Sequence, residues 1–273
     1  MAMNKTLKKY RQKMAKTIIL LLCGMLTVTG CTKDDKNSDL VASGTTGSLT
    51  WALDIDGTLT ISGKGEMPKY FNYWDDYEYI TPLMPPWYEY IGSITNVIIG
   101  DDIMNIGSGA FMFSEKMTSV IIGSSVTVIE ESAFHGCESL SAINIPFSVT
   151  EIGPSAFAYC RSLTFLNIPN SVNSIGILAF RGCSGITFVA IGDSVTDFGG
   201  AAFQDCTNLT TIINYQEVPQ FMDLFTSTRL GFTLDPFAGV DFDNCLLLVP
   251  TNSVETYRAA EGWQRFRNIE TFK

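Results

Sequence analysis

Five phenylalanines, Phe111, Phe134, Phe157, Phe180 and Phe203, follow one another at intervals of 23 residues in this 273-residue chain. A constant interval of about 20 to 50 residues is the sequence signature of a stacked repeat protein. Each unit of such a protein buries its apolar face only against its neighbours, so the interval predicts a solenoid before any element is assigned. It also moves the functional question from a central pocket to an extended surface.

Residues 126–148, 149–171 and 172–194 are the cleanest copies; a looser one spans 103–125 and another begins at Val195. Written under one another, they hold apolar columns at Ile129/Ile152/Ile175, Ala133/Ala156/Ala179, Leu140/Leu163/Ile186 and Ile145/Ile168/Ile191. Ile143-x-Ile145, Leu166-x-Ile168 and Val189-x-Ile191 alternate with the period of a strand, and Pro146, Pro169 or Gly192 closes each one. One short parallel strand per repeat predicts a ribbon sheet. Residues 155–160 are too few for a long helix and predict a helical turn or tight bend. The expected fold is a β-rich repeat solenoid.

Cys137, Cys160, Cys183 and Cys206 also lie 23 apart, with Cys245 outside the series. Free cysteine behaves as a small buried hydrophobe, so the series reads as a column of reduced core thiols. Stacked neighbours would lie about 5 Å apart, which does not by itself exclude bridging. No CxxC or His/Cys pairing marks a metal site, and none is expected. The single histidine, His135, shares its place with Ala158, Arg181 and Gln204, which predicts a solvent-facing position. No glycine-rich phosphate loop appears, and the scattered carboxylates select no acid/base pair. The chain reads as a non-enzyme without a cofactor. Asp54-Ile55-Asp56-Gly57 lacks the further ligands of a calcium loop and reads instead as a hairpin turn between alternating runs.

Residues 1–30 carry six basic residues ahead of a short apolar run from Thr17 to Val28, the layout of a secretory signal. The run is well short of the roughly 20 residues that span a bilayer. Val28-Thr29-Gly30-Cys31 resembles the bacterial lipobox, which implies cleavage before Cys31 and acylation of that residue. The following Thr32-Lys33-Asp34-Asp35 resembles the lipoprotein export signal of Bacteroidetes, which implies an outward-facing anchor on the outer membrane. The membrane would then be held through lipid only. Loss of residues 1–30 removes six of 18 basic residues and none of 28 acidic ones, leaving a net charge of −16. Such a surface argues against nucleic acid.

Residues 31–46 are polar and small and read as a flexible tether; 47–92 read as an N-terminal hairpin and aromatic cap. Repeats follow over 93–213. Residues 214–273 read as a degenerate repeat with an insertion and a C-terminal cap, comprising a last strand and a short helix with Asn252 or Ser253 as its N-cap. Aromatic residues crowd 67–90, where Pro82, Pro85 and Pro86 oppose a long helix. They read as a lid over the open end of the stack, or as a sugar-stacking surface built on Tyr73, Trp74 and Trp87.

The unit Val-x-x-Ile-Gly, Ala-Phe-x-x-Cys, Leu-x-x-Ile-x-Ile-Pro resembles the BspA-like leucine-rich repeat, over about residues 47–260. The resemblance implies a right-handed superhelix of short parallel strands and short helical turns, and a surface protein that adheres to host or other proteins. Positions that vary between copies are those released from packing. On the strands they are Ser119/Ala142/Phe165/Phe188/Thr211 and Ile121/Asn144/Asn167/Ala190/Ile213. Phe165 and Phe188 fall side by side, with Phe147 nearby, so Phe147, Phe165, Phe188, Asn144 and Asn167 form the candidate binding surface for a protein ligand. The alternative readings are a glycan-binding accessory lipoprotein and a structural envelope protein.

Overall fold

In the computed structural model, which describes residues 39–70, 83–222, 224, 226–227 and 232–272, the chain enters through an antiparallel meander. β1 (Leu40–Thr46), β2 (Leu49–Asp54) and β3 (Thr58–Gly63) pair in order. Asp54 Oδ1 accepts the N–H groups of Asp56 and Thr58, which holds the predicted turn at Asp56-Gly57. Residues 40–46, expected in the tether, are strand because they complete the sheet on the free edge of β2. Gly44 leaves the space that the Trp51 indole fills, since a Cβ there would stand 2.9 Å from Trp51 Nε1.

The ribbon sheet grows from β3 by parallel addition. β4 (Asn96–Ile99) pairs with β3, and β6 (Ser119–Ile121) pairs with β4. Further along, β9 (Phe165–Ile168), β11 (Phe188–Ile191), β13 (Thr211–Asn214), β16 (Leu246–Val249) and β17 (Asn268–Thr271) form a second parallel run. Its register places Phe165, Phe188, Thr211, Leu246 and Asn268 in line. Between the two runs lies a seam. Residues 141–146, where alternation predicts a strand, form none. The last inter-repeat bond before it is a long 3.4 Å contact from Ser141 N to Thr118 O.

The seam coincides with a change in the loop that closes each strand. Asp101 Oδ1 accepts the Ser124 N–H, and Asn170 Oδ1 accepts the Asp193 N–H, tying successive loops together. Phe147 occupies the equivalent place and offers no acceptor. The core beneath is correspondingly less sealed: Val120, Ile122, Ile143 and Ile145 are 4–9% exposed, against 0–1% for Leu166, Ile168, Val189 and Ile191.

A second ladder runs without interruption from residue 105 to residue 198. β5 (Asn105–Ile106), β7 (Val128–Ile129), β8 (Glu151–Ile152), β10 (Ser174–Ile175) and β12 (Asp197–Phe198) pair in parallel, each two residues long. The segments between ladders are hydrogen-bonded turns rather than helices. α1 (Val254–Ala259) lies in the C-terminal cap, and a small antiparallel pair, β14 (Thr226–Ser227) with β15 (Phe232–Thr233), lies in the insertion.

The phenylalanine ladder is the spine of the core. Trp87, Phe111, Phe134, Phe157, Phe180, Phe203 and Phe237 stack ring on ring with centroids 5.1–5.8 Å apart. Phe237 takes the next place after an interval of 34 residues rather than 23, so the insertion loops out and the stack continues. Each end is closed by a tryptophan whose indole N–H is satisfied: Trp87 Nε1 donates to Ala110 O and Trp263 Nε1 to Gln220 O. Beside the rings, Cys137, Cys160, Cys183 and Cys206 are buried free thiols. Each Sγ–H donates to a phenylalanine carbonyl 26 residues earlier, at 3.1–3.3 Å. Burial pushes these thiols up, Cys183 to about 12, which suppresses the thiolate that redox chemistry requires.

Every repeat also contains a residue in the left-handed region at one turn: Phe113, Gly136, Tyr159, Gly182 and Asp205, with φ between 62° and 72°. Their N–H groups donate to the next repeat's carbonyls at Phe113→His135, Gly136→Ala158, Tyr159→Arg181, Gly182→Gln204 and Asp205→Ala238, 2.7–2.8 Å. Bulky residues and glycines alternate here for a steric reason. A Cβ on Gly136 would meet the Phe113 ring at 2.6 Å, and one on Gly182 the Tyr159 ring at 2.5 Å. Each bulky side chain lies over the same position of the following repeat, so only glycine fits beneath it.

Candidate interaction surface

Alternation on the ribbon sends Val97, Ile99, Leu166 and Ile168 into the core and their neighbours outward. The outward positions from β4 to β13 are Asn96, Ile98, Ser119, Ile121, Ala142, Asn144, Phe165, Asn167, Phe188, Ala190, Thr211 and Ile213. None carries a charge, in a chain whose formal net charge is −10. Phe188, Ala190, Thr211 and Ile213 are buried, so the absence of charge is notable only from β4 to β9, where charged residues are the ordinary occupants of solvated positions.

Exposure is greatest around the seam. Phe147 is 82% exposed, Ile121 46% and its register partner Ile98 37%. Asn144 and Asn167 are exposed on the same face and Phe165 is half-buried. Phe165 and Phe188 stack face to face, with centroids 4.8 Å apart and an interplanar angle of 8°. Phe188, however, is buried, and so are Ala190 and Ile213. The exposed aromatic pair expected at Phe165 and Phe188 is therefore corrected to a cross-strand stack with one half-open member. The exposed patch consists of Ile98, Ile121, Asn144, Phe147, Phe165 and Asn167. Ile98 went unnoticed in the sequence because it precedes the first recognisable copy; counting back 23 residues from Ile121 finds it.

Three other expectations concern aromatic and lipid sites. Trp87 is fully buried, wedged between Trp51, Tyr70 and Phe111, and cannot serve as a sugar platform. Tyr73, Trp74 and Cys31 lie outside the described residues. His135 is not an open surface residue: it packs between the rings of Phe113 and Tyr159, each 5.4 Å away. Its Nδ1 is buried without a hydrogen-bond partner among the described residues, and burial lowers its pKa. Among the described residues no group of three or more His, Cys, Asp or Glu could hold a metal, and no helix is long and apolar enough to cross a membrane.

The stacked 23-residue turns, the ribbon of short parallel strands and the single aromatic spine define a leucine-rich repeat solenoid. Residues 86–210 match the BspA type leucine rich repeat region in six copies. Solved structures of similar fold include a leucine-rich repeat protein of T. pallidum, 28% identical over 60% of this chain and 78% of that one, with a TM-score of 0.45. One from Bacteroides ovatus is 20% identical over 78% of this chain and 56% of the other (TM-score 0.46). A leucine rich cell surface protein of Faecalibacterium prausnitzii is 25% identical over 82% and 73% (TM-score 0.41). No curated protein matches the chain.

Proposed function

We propose that this leucine-rich repeat protein is a lipid-anchored surface protein that binds a protein partner on the outward face of its ribbon. The carrying observation is the exposed pair Ile98 and Ile121 on uncharged outward strand positions, with exposed Phe147 in the loop that closes the unpaired segment beside them. Protein interfaces are depleted of charge at their centre and enriched in aromatic anchors, which is the composition found there. Asn144 and Asn167 would supply directional hydrogen bonds beside the apolar anchor. Among the described residues, the outward strand positions of this face hold no carboxylate, histidine, lysine or cysteine, which favours binding over catalysis.

Attachment rests on the sequence: a short apolar segment, the lipobox-like Val28-Thr29-Gly30-Cys31, and Lys33-Asp34-Asp35 after it. Acylated Cys31 would anchor the chain at the outer membrane, facing outward, with the ribbon presented to host or other extracellular proteins. Cys31→Ala should shift the protein from the membrane to the soluble fraction, and Lys33→Ala/Asp34→Ala/Asp35→Ala should protect it from protease shaving of whole cells. For the binding face, the full-length chain in detergent would be titrated against purified extracellular-matrix proteins. Phe147→Ser, which copies Ser124 of the preceding repeat, should weaken any binding detected by about ten-fold or more, the scale of an interface anchor. Binding unchanged by Phe147→Ser and by Ile121→Ser would place the partner elsewhere.

A further inference from the structure

We propose a second site on the turn edge of the repeats: Phe113, His135 and Tyr159, with Arg161 and Arg181 at the end of the row, bind an anionic polysaccharide through its carboxylate or sulfate groups. The rings of Phe113, His135 and Tyr159 form a continuous edge-to-face row with successive centroids 5.4 Å apart. Phe113 is 52% exposed although it occupies a left-handed position at φ 62°. Tyr159 holds the same conformation at φ 62°, where the neighbouring repeats have Gly136 and Gly182. Packing of the solenoid core asks for no ring at this turn.

The row ends in two guanidinium groups gathered on one ring. Arg161 Cζ lies 5.8 Å and Arg181 Cζ 5.9 Å from the Tyr159 centroid, so both cations are oriented by the same aromatic group. Their acidic neighbours do not saturate them. Arg161 approaches Glu138, and Arg181 approaches Asp205, no nearer than 3.6 Å, from Nε, beyond hydrogen-bond distance. Among the described residues, no hydrogen bond engages the terminal nitrogens of either arginine. Arg181 Nε is itself buried, so its terminal nitrogens, together with the more exposed guanidinium of Arg161, are left to take planar or tetrahedral oxyanions, the groups that arginine binds in bidentate fashion.

A saccharide fits this edge better than a peptide. The backbone donors of the row, Phe113 N, Gly136 N, Tyr159 N and Gly182 N, are all consumed by the inter-repeat ladder, so no main-chain edge is open to pair with a strand. What remains is aromatic surface, with Phe113 and Tyr159 two repeats or about 10 Å apart, and a cationic end. Pyranose rings can lie on the aromatic surface while an acidic substituent reaches the arginines.

The test uses the full-length chain in detergent at low salt against immobilised heparin (sulfated) and polygalacturonate (carboxylated), with dextran and poly-glutamate as comparators. Retention on heparin, polygalacturonate or both, lost as salt screens the charges, is the expected result, and the pattern tells which oxyanion is preferred. Arg161→Ala/Arg181→Ala should lower affinity at least about ten-fold, the scale of lost charge-assisted hydrogen bonds. Tyr159→Gly and Phe113→Gly, which install the residue the turn prefers and so keep the fold, should each weaken binding while leaving the melting temperature within about 4 °C of wild type. Absence of retention on both acidic polymers, undiminished retention of the double arginine variant, or poly-glutamate bound as tightly as either polysaccharide would overturn the proposal.

Discussion

Two aromatic rows run along this solenoid, and they are spaced differently. The buried row, Phe111 to Phe203, repeats every 23 residues; the turn row has Phe113 and Tyr159 46 residues apart with Gly136 between, and Asp205 takes the next place after Gly182. The difference is one of direction. Core rings stand side by side and each gains by having an identical neighbour 5.1–5.3 Å away. Turn rings lie along the stack and cover the next repeat, so an identical neighbour is sterically excluded. A period in a repeat sequence therefore reports where a side chain points as well as how often the fold returns.

The largest effect that bears on this contrast is removal of a core ring. Phe157→Ala should destabilise the protein by about 3–5 kcal/mol, because it leaves a cavity between two rings that cannot close on each other. Urea unfolding should show a lower midpoint with an unchanged slope. Gly182→Ala comes next, at about 1–3 kcal/mol, because it adds a Cβ against Tyr159 and forces a left-handed φ on a non-glycine residue. Tyr159→Gly should recover part of that loss when combined with it; simple additivity of the two changes would refute the steric account of the alternation between bulky residues and glycine.

Alone, Tyr159→Gly should leave stability within about 1 kcal/mol of wild type, since relief of strain offsets the lost ring contacts. A smaller core effect is expected at Cys160→Ala, about 0.5–1.5 kcal/mol for one hydrogen bond to Phe134 O. The smallest is a pH effect at His135. Its folded pKa lies below the unfolded value, so the unfolded chain binds the proton first. The stability contributed by neutral His135 is complete above the model-peptide value of about 6.5 and is lost as pH falls through the folded pKa. His135→Gln should flatten the corresponding slope in a pH series of unfolding midpoints.

Much of the fold could be read directly: the interval, the apolar columns, the hairpin at Asp56-Gly57 and the buried thiol column. What escaped has identifiable reasons. The second ladder consists of two-residue strands such as Glu151–Ile152, too short for alternation to register. The break at residues 141–146 keeps the alternating burial of Ile143 and Ile145 but loses the pairing, and it falls where Phe147 replaces the polar loop residues of the other repeats. His135 looked free because its place accepts Ala, Arg and Gln in other repeats. Its actual environment is set by Phe113 and Tyr159, two repeats apart.

By itself the sequence determined that the chain stacks, what fills the core and which positions are released from it. Those are one-dimensional facts, since a shared core must repeat wherever the fold repeats. Tertiary structure alone decided which released positions are open. Phe147 is exposed whereas Phe188 is buried, and Arg161 and Arg181 converge on one tyrosine ring. Exposure and convergence depend on what neighbouring turns bring over a residue, and no period along the chain encodes that.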